Sequence, residues 1–255
     1  MPRPVTYVLI HGGGTTARFW DLLLPHLQGS CLAVDLPGRG DRPADLATLT
    51  VDDEVASVVR DVESHRGDDD DGSDIVIVAH SSGGLVVPGV LGALGDRVTH
   101  VVLNAASIPP EGGCGLDCMQ PRHREGVLLA VEMAKESGQP VLTPGPPSDP
   151  EAFRSTYGGP PLSDEQLAYV LDPARCVIDT VNHYLQPVSW RSAPPVPVTY
   201  IVNTLDRPVP LGLQREMVDR LPRRAEVVEL EGGHVPAIVD PMEFAAVVHG
   251  VTSSR

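Results

Sequence analysis

Ala79-His80-Ser81-Ser82-Gly83-Gly84 is the stretch on which the reading of this chain turns. It follows Asp74-Ile75-Val76-Ile77-Val78, an apolar, β-branched run of the kind that makes a buried strand. It precedes Leu85-Val86-Val87, the start of a short apolar helix. A serine on so tight a strand-to-helix turn adopts a strained backbone, and only very small residues fit two positions before and after it. Ala79 and Gly83 fill those positions around Ser81. Centring the turn on Ser82 would put His80 where a tiny residue is needed, so Ser81 is the candidate nucleophile.

Three further signals give the turn a chemical context. Upstream, the strand Val5-Thr6-Tyr7-Val8-Leu9-Ile10 runs into His11-Gly12-Gly13-Gly14. Acyl transfer passes through a tetrahedral oxyanion that needs preorganised N–H donors, and a glycine-rich loop presents them without side chains in the way. The Gly13 and Ser82 amides are the candidate oxyanion hole. Taken alone, Gly12 to Gly14 could simply make a tight turn. Downstream, one strand over 196–202 is followed by Asp206, and another over 225–230 is followed by Glu231-Gly232-Gly233-His234. In a parallel sheet the carboxyl ends of strands share one edge, so Ser81, Asp206 and His234 can converge there. A base beside a serine activates it, and a carboxylate holds that base in the useful tautomer.

This pattern resembles the α/β-hydrolase superfamily, and within it the plant methyl-esterase and hydroxynitrile-lyase branch with its bacterial esterase relatives. The residues that carry the resemblance are His11-Gly12-Gly13, Asp35-Leu36-Pro37-Gly38-Arg39-Gly40, the Ser81 turn, Asn104-Ala105-Ala106-Ser107-Ile108-Pro109, Asp206 and Gly233-His234. It implies an α/β-hydrolase fold: a mostly parallel sheet, helices on both faces and a helical cap insertion. The lyases of this branch carry a lysine directly after the catalytic histidine. Val235 stands there in this chain, so the resemblance implies hydrolysis.

Residues 1–107 and 196–255 read as the core, with helices around 18–27, 51–66, 211–220 and 240–250 between strands. Pro88 should kink the helix after the turn or end its first regular stretch. Over 108–195 strand signals vanish and prolines cluster, with helices expected at about 122–137 and 163–185, and this segment is the expected cap. Its Met119, Met133, Phe153, Tyr157, Tyr169, Tyr184 and Trp190 could form an apolar pocket or merely pack the cap onto the sheet. His183, Tyr184 and Trp190 are the candidate pocket residues.

The remaining polar residues have plainer readings. His26, His65, His100 and His249 sit in apparent helices or at a strand start, His80 should point away from Ser81, and His11 should brace its loop. Asp35 precedes Ser81 on a different strand, and reads as a turn-stabilising carboxylate paired with Arg39. Asp68-Asp69-Asp70-Asp71 lacks the alternating spacing of a calcium loop. Cys114 and Cys118 near His123 lack an evident fourth ligand for zinc, so no metal and no cofactor is expected.

A net charge of −15, with Lys135 the single lysine, argues against a nucleic-acid partner. No apolar run is long enough to span a membrane. The first strand begins too early to leave room for a signal peptide, so a cytoplasmic location is expected, with the four cysteines as free thiols. A homodimer stays open. The expected function is a serine hydrolase cleaving a small or medium carboxylic ester, lactone or thioester. The alternatives are a biosynthetic lyase, cyclase or cofactor-free oxygenase on the same scaffold, or a non-catalytic ligand receptor.

Overall fold

Alternate residues of the central strands bury themselves on opposite sides of one sheet, as a period of two requires when both faces are covered. Val8, Ile10, Ile75, Ile77, Ala79, Tyr200 and Val202 pack on one face. Tyr7, Leu9, Val76, Val78, Val102 and Ile201 pack on the other. The computed structural model describes residues 4–66, 74–135, 139–143 and 145–253. The Asp68–Asp71 run lies outside the described residues.

Among the described residues six strands form the sheet: β1 (Val5–Ile10), β2 (Ser30–Val34), β3 (Asp74–His80), β4 (Val98–Asn104), β5 (Val198–Asn203) and β6 (Glu226–Leu230). All pair in parallel, in the order β2-β1-β3-β4-β5-β6. Helices α1 (Val51–Arg66) and α2 (Val87–Leu94) cover the first face. In chain order, α3 (Pro121–Ala134), α4 (Pro150–Tyr157) and α5 (Asp164–Leu171) then lie between β4 and β5. Helix α6 (Leu211–Asp219) joins the first face, and α7 (Pro236–Val239) and α8 (Pro241–Ser253) cover the second. The strand order reverses between β1 and β3. Loops leaving the carboxyl ends of two such strands diverge and leave a crevice between them. Those two loops are His11–Gly14 and the Ser81 turn.

Several expected elements differ in detail. The stretch 18–27 is two short 3₁₀ turns, Ala17–Trp20 and Leu24–His26, the first capped by the Thr16 hydroxyl and the second carrying Pro25. The helix expected over 163–185 ends at Leu171, because Asp172 precedes Pro173 and takes the extended ψ of 125° that a following proline demands. Helix α4 adds an element between the two helices expected in this segment. It starts on Asp149, whose carboxylate accepts the Ala152 amide, with Pro150 in the first turn. A 3₁₀ turn over Ser81–Leu85 ends before Pro88, which sits in the first turn of α2, so the proline ends one stretch and opens the next. Met133 is 73% exposed, so it belongs neither to a pocket nor to the core. Among the described residues no helix is long and apolar enough to cross a membrane.

Two glycines near the Ser81 turn separate crowding from entropy. A Cβ on Gly83 would sit 2.6 Å from the His11 carbonyl oxygen and 3.0 Å from that of Ile10. One on Gly92, inside α2, would meet nothing within 4 Å. Gly83→Ala should therefore destabilise by about 1–3 kcal/mol, the usual cost of overpacking. Gly92→Ala should stabilise by roughly 0.5–1 kcal/mol. Thermal unfolding checks this, and equal Tm values for the two variants would contradict it.

Candidate active site

Ser81 has a φ of +50°, a left-handed conformation that a serine adopts only under constraint. The constraint comes from both flanks. The His11 and Ile10 carbonyls leave no room for a side chain at Gly83, and Ser107 leaves none at Gly84, where a Cβ would lie 2.7 Å from its carbonyl oxygen. The Ser107 amide donates to the Ser81 carbonyl at 2.8 Å. The turn thus lifts the Ser81 side chain off the edge of the sheet, between β1 and β4.

Asp206 and His234 arrive on the loops after β5 and β6. Asp206 Oδ1 accepts the Val209 amide at 2.8 Å, and Oδ2 accepts His234 Nδ1–H at 2.7 Å. His234 Nε2 then stands 3.1 Å from Ser81 Oγ, placed to accept its proton. Asp206 and His234 are both buried. The His234 backbone is fixed as well. Its amide donates to the Tyr157 carbonyl at 2.9 Å, and its carbonyl accepts His80 Nε2–H at 2.7 Å. The His80 ring stacks 4.8 Å from that of Phe19 and lies tilted 4.7 Å from that of His234, lining the smaller cavity described below. Burial, with His234 alongside, holds its pKa well below the ordinary value, so it is neutral.

The glycine loop packs directly on Ser81. A Cβ on Gly12 would lie 2.9 Å from Ser81 Cβ, and one on Gly13 would lie 2.6 Å from the Tyr184 hydroxyl and 3.2 Å from Ser82 Oγ. Ser82 stands in the first turn after β3, where amides have no partner within their own helix. His11 braces the loop. Its Nδ1–H donates to the Gly12 carbonyl at 2.8 Å and its Nε2 accepts the Leu36 amide at 3.3 Å. Burial, followed by the charge of Arg39, lowers its pKa to about 4.

Behind this loop lies a buried ionic cluster that changes two of the readings above. Arg39 does not pair with Asp35. Its Nη1 donates to Glu54 Oε1 at 2.7 Å, and its Nη2 donates to Asp179 Oδ1 at 2.6 Å and to His183 Nδ1 at 3.1 Å. Asp35 instead serves its own turn, accepting the amides of Ala17 at 2.7 Å and Asp41 at 3.4 Å. His183 lies in the cluster and lines neither cavity at Ser81, because its ring nitrogen is committed to Arg39. Burial depresses its pKa too. Trp190 also leaves the pocket. It is 4% exposed and packs in the core on the α1–α2 face. Asp179, which the sequence reading passed over, accepts the Gly14 amide on Oδ2 at 2.8 Å. Burial alone would raise its pKa, but Arg39, His183 and the Gly14 amide together hold it below the usual carboxylate value.

Two cavities meet at Ser81, of about 220 Å³ and about 570 Å³. Tyr184 lines both, as do Tyr157 and Thr143. Burial pushes the Tyr184 hydroxyl far above its ordinary pKa, so it stays protonated, and it hydrogen-bonds the Ser82 side chain. All four cysteines are free, and burial pushes the Cys118 thiol up to about 12. Among the described residues no three His, Cys, Asp or Glu side chains are grouped to hold a metal ion.

Comparison with known proteins gives this geometry its family. The chain is 26% identical over 257 residues to methylesterase 7 of Arabidopsis thaliana, covering 95% of this chain and 94% of that one. Its fold is similar to that of an extracellular alpha/beta-hydrolase from a Paenibacillus species, with a TM-score of 0.78 at 20% identity over 97% of this chain and 98% of the other. It is also similar to that of a pyrethroid hydrolase from Sphingobium faniae, with a TM-score of 0.70 at 18% identity over 98% of both chains. Residues 7–247 match the model of the alpha/beta hydrolase family, and the chain belongs to that family.

Proposed function

We propose that the protein is a serine hydrolase that cleaves a small or medium carboxylic ester through an acyl-enzyme on Ser81. The observation that carries this is the unbroken hydrogen-bonded line from Asp206 through His234 to Ser81, opening on two cavities. Ser81 Oγ attacks the ester carbonyl carbon as its proton passes to His234 Nε2. The Gly13 and Ser82 amides take up the charge on the carbonyl oxygen. Asp206 stabilises the imidazolium and fixes its orientation. The intermediate then collapses, the ester C–O bond breaks, and His234 gives its proton to the departing alcohol. Water repeats the sequence on the acyl-enzyme, releasing the acid and restoring Ser81. The names of the relatives, a methylesterase and a pyrethroid hydrolase, support the same class. Val235, in place of the lysine that the resembling lyases carry, supports hydrolysis over cyanohydrin cleavage. The substrate is a small molecule. A net charge of −15 argues against a nucleic-acid partner.

Alanine substitution separates the two neighbouring serines. Ser81→Ala should lower kcat by about 10³–10⁶ and abolish labelling by a fluorophosphonate. Ser82→Ala should keep both, since its proposed contribution is a backbone amide. The opposite pattern would move the nucleophile to Ser82 and remove this reading.

Acid should act on stability through buried histidines that the fold keeps neutral. His11, His80 and His183 are neutral in the fold and have depressed pKa values. Unfolding frees each to take a proton near its ordinary value of about 6.5. Below that pH the unfolded state binds more protons, so stability is full above it and is lost as pH falls toward about 4, where His11 titrates in the fold. The share of His11 is on the order of 3 kcal/mol. Tm measured from pH 7.5 to 4 checks the sign, and a Tm that held or rose would contradict it.

A further inference from the structure

The two cavities differ in wall chemistry and in their relation to His234, and this orients a substrate. At the tetrahedral carbon four directions are taken: Ser81 Oγ, the oxyanion, the leaving oxygen and the acyl carbon. The leaving oxygen receives its proton from His234 Nε2, so it must lie on the His234 side. The smaller cavity is lined by His234 and by Val235 and Ile238, which follow it in the chain, as well as by Gly13. The larger cavity touches Ser81 but includes neither His234 nor Gly13. With the oxyanion at Gly13 and the leaving oxygen at His234, the acyl carbon can only enter the larger cavity.

The walls define what each arm is. Phe19, Phe153, Tyr157 and Tyr169 surround the smaller cavity, and rings favour offset or edge contact with another ring. Its volume of about 220 Å³ exceeds the roughly 150 Å³ that accommodates benzene in a dry apolar cavity, and far exceeds the needs of methanol. The larger cavity, of about 570 Å³, is aliphatic beyond the two tyrosines at its throat, with Met119, Val127, Val141, Leu142, Val181 and Val209 along it. The cation in the smaller cavity is already engaged. Arg175 stacks 3.9 Å over the Tyr169 ring, and pairs with Asp172 and with Asp21 at 3.2 Å. Arg122 and His123 stand exposed at the rim of the larger cavity. Neither cavity offers a buried, unpaired charge to a charged substrate.

We infer that the substrate is an uncharged ester of a single-ring alcohol with an aliphatic acid, the ring seated against Phe19 and Tyr169 and the acyl chain running past Val127. This rests on the serine-hydrolase reading of the same site. On cleavage the ring alcohol leaves by the smaller cavity with the proton from His234, while the aliphatic acyl group stays on Ser81 in the larger one until water releases it.

The test uses the full chain and three esters: methyl acetate, phenyl acetate and methyl octanoate. Lengthening either arm of methyl acetate should raise kcat/KM by about tenfold or more, the scale of a few apolar contacts. Val127→Trp narrows the aliphatic cavity and should lower the ratio of kcat/KM for methyl octanoate to that for phenyl acetate at least about tenfold. Val170→Trp, on α5 at the smaller cavity, should raise the same ratio by a similar factor. The Val127→Phe and Val170→Phe variants serve where tryptophan prevents folding. Ratios that move the opposite way, or that stay within about twofold, overturn the orientation. A wild-type chain that hydrolyses none of the three and does not react with a fluorophosphonate overturns the serine-hydrolase reading, and the orientation with it. Fluorophosphonate labelling with unresponsive ratios overturns the orientation alone.

Discussion

The positive φ of Ser81 is the constraint around which the rest of the molecule is arranged. A non-glycine residue in that region costs on the order of 1–3 kcal/mol and persists only where its surroundings over-determine it. Here three strands supply the over-determination. The end of β1 brings the Ile10 and His11 carbonyls against Gly83, β3 delivers Ser81 itself, and the segment after β4 sets Ser107 against Gly84. Each contact is backbone on backbone, so none yields by a side chain changing rotamer. The register that pairs Ile10 with Ala79 and His80 with Asn104 therefore fixes the turn as well as the sheet. The Ser81 hydroxyl has no other place to go than the edge where β5 and β6 deliver Asp206 and His234.

A second constraint holds the other side of the crevice. Arg39 follows β2, Glu54 lies in α1 and Asp179 belongs to the segment between β4 and β5, yet their charges meet where water is excluded. Removing one member of such a group leaves an uncompensated charge and typically costs about 3–5 kcal/mol. One cation faces two carboxylates with His183 neutral, so a negative charge is left over. The spare oxygen of Asp179 spreads part of it onto the Gly14 amide. That bond also pins the loop next to Gly13. The cluster thereby sets the position of the glycine loop that packs against Ser81.

How much of this could be read from the sequence follows from how local each feature is. The Ser81 turn, the glycine loop, Asp206 and His234 each follow an apolar β-branched run, so strand and site residue are read together from a few neighbours. Ser81, Asp206 and His234 then meet in space because a parallel sheet aligns strand ends. Arg39 and Asp179 lie 140 residues apart, and no local pattern joins them. Asp35, four residues before Arg39, was the obvious partner, but its oxygens are occupied by the Ala17 and Asp41 amides. Val177-Ile178-Asp179-Thr180-Val181 did carry a signal, since so many β-branched residues disfavour a helix. The stretch is extended and bridges Leu142 to Thr180, and Thr15 pairs with Cys176 just before it. The extended path, in place of a helix over 163–185, carries His183 to Arg39, and Trp190, near β5 in the chain, packs in the core.

The segment between β4 and β5 and the His234 loop are built as one unit, and this bears on how selectivity can change at the proposed site. Gly158 pairs with Asp206, and the Tyr157 carbonyl holds the His234 amide. A Cβ on Gly233 would lie 2.3 Å from the Gly158 carbonyl oxygen, so the two loops run in direct contact. Tyr157 also lines both cavities. The residue that shapes the pocket on its side chain therefore positions His234 through its backbone. Substitutions confined to side chains on α3 or α5 can reshape either cavity and leave that contact alone. A change in the length or path of the chain around Tyr157–Gly159 would move His234 by the same amount as the pocket wall. With His234 as the proposed base, a displacement of about 1 Å would cost about 10²-fold in rate. Variation in substrate preference at the proposed site is thus physically channelled into side chains, while the backbone that joins Tyr157–Gly159 to the Gly232–His234 loop is held in place.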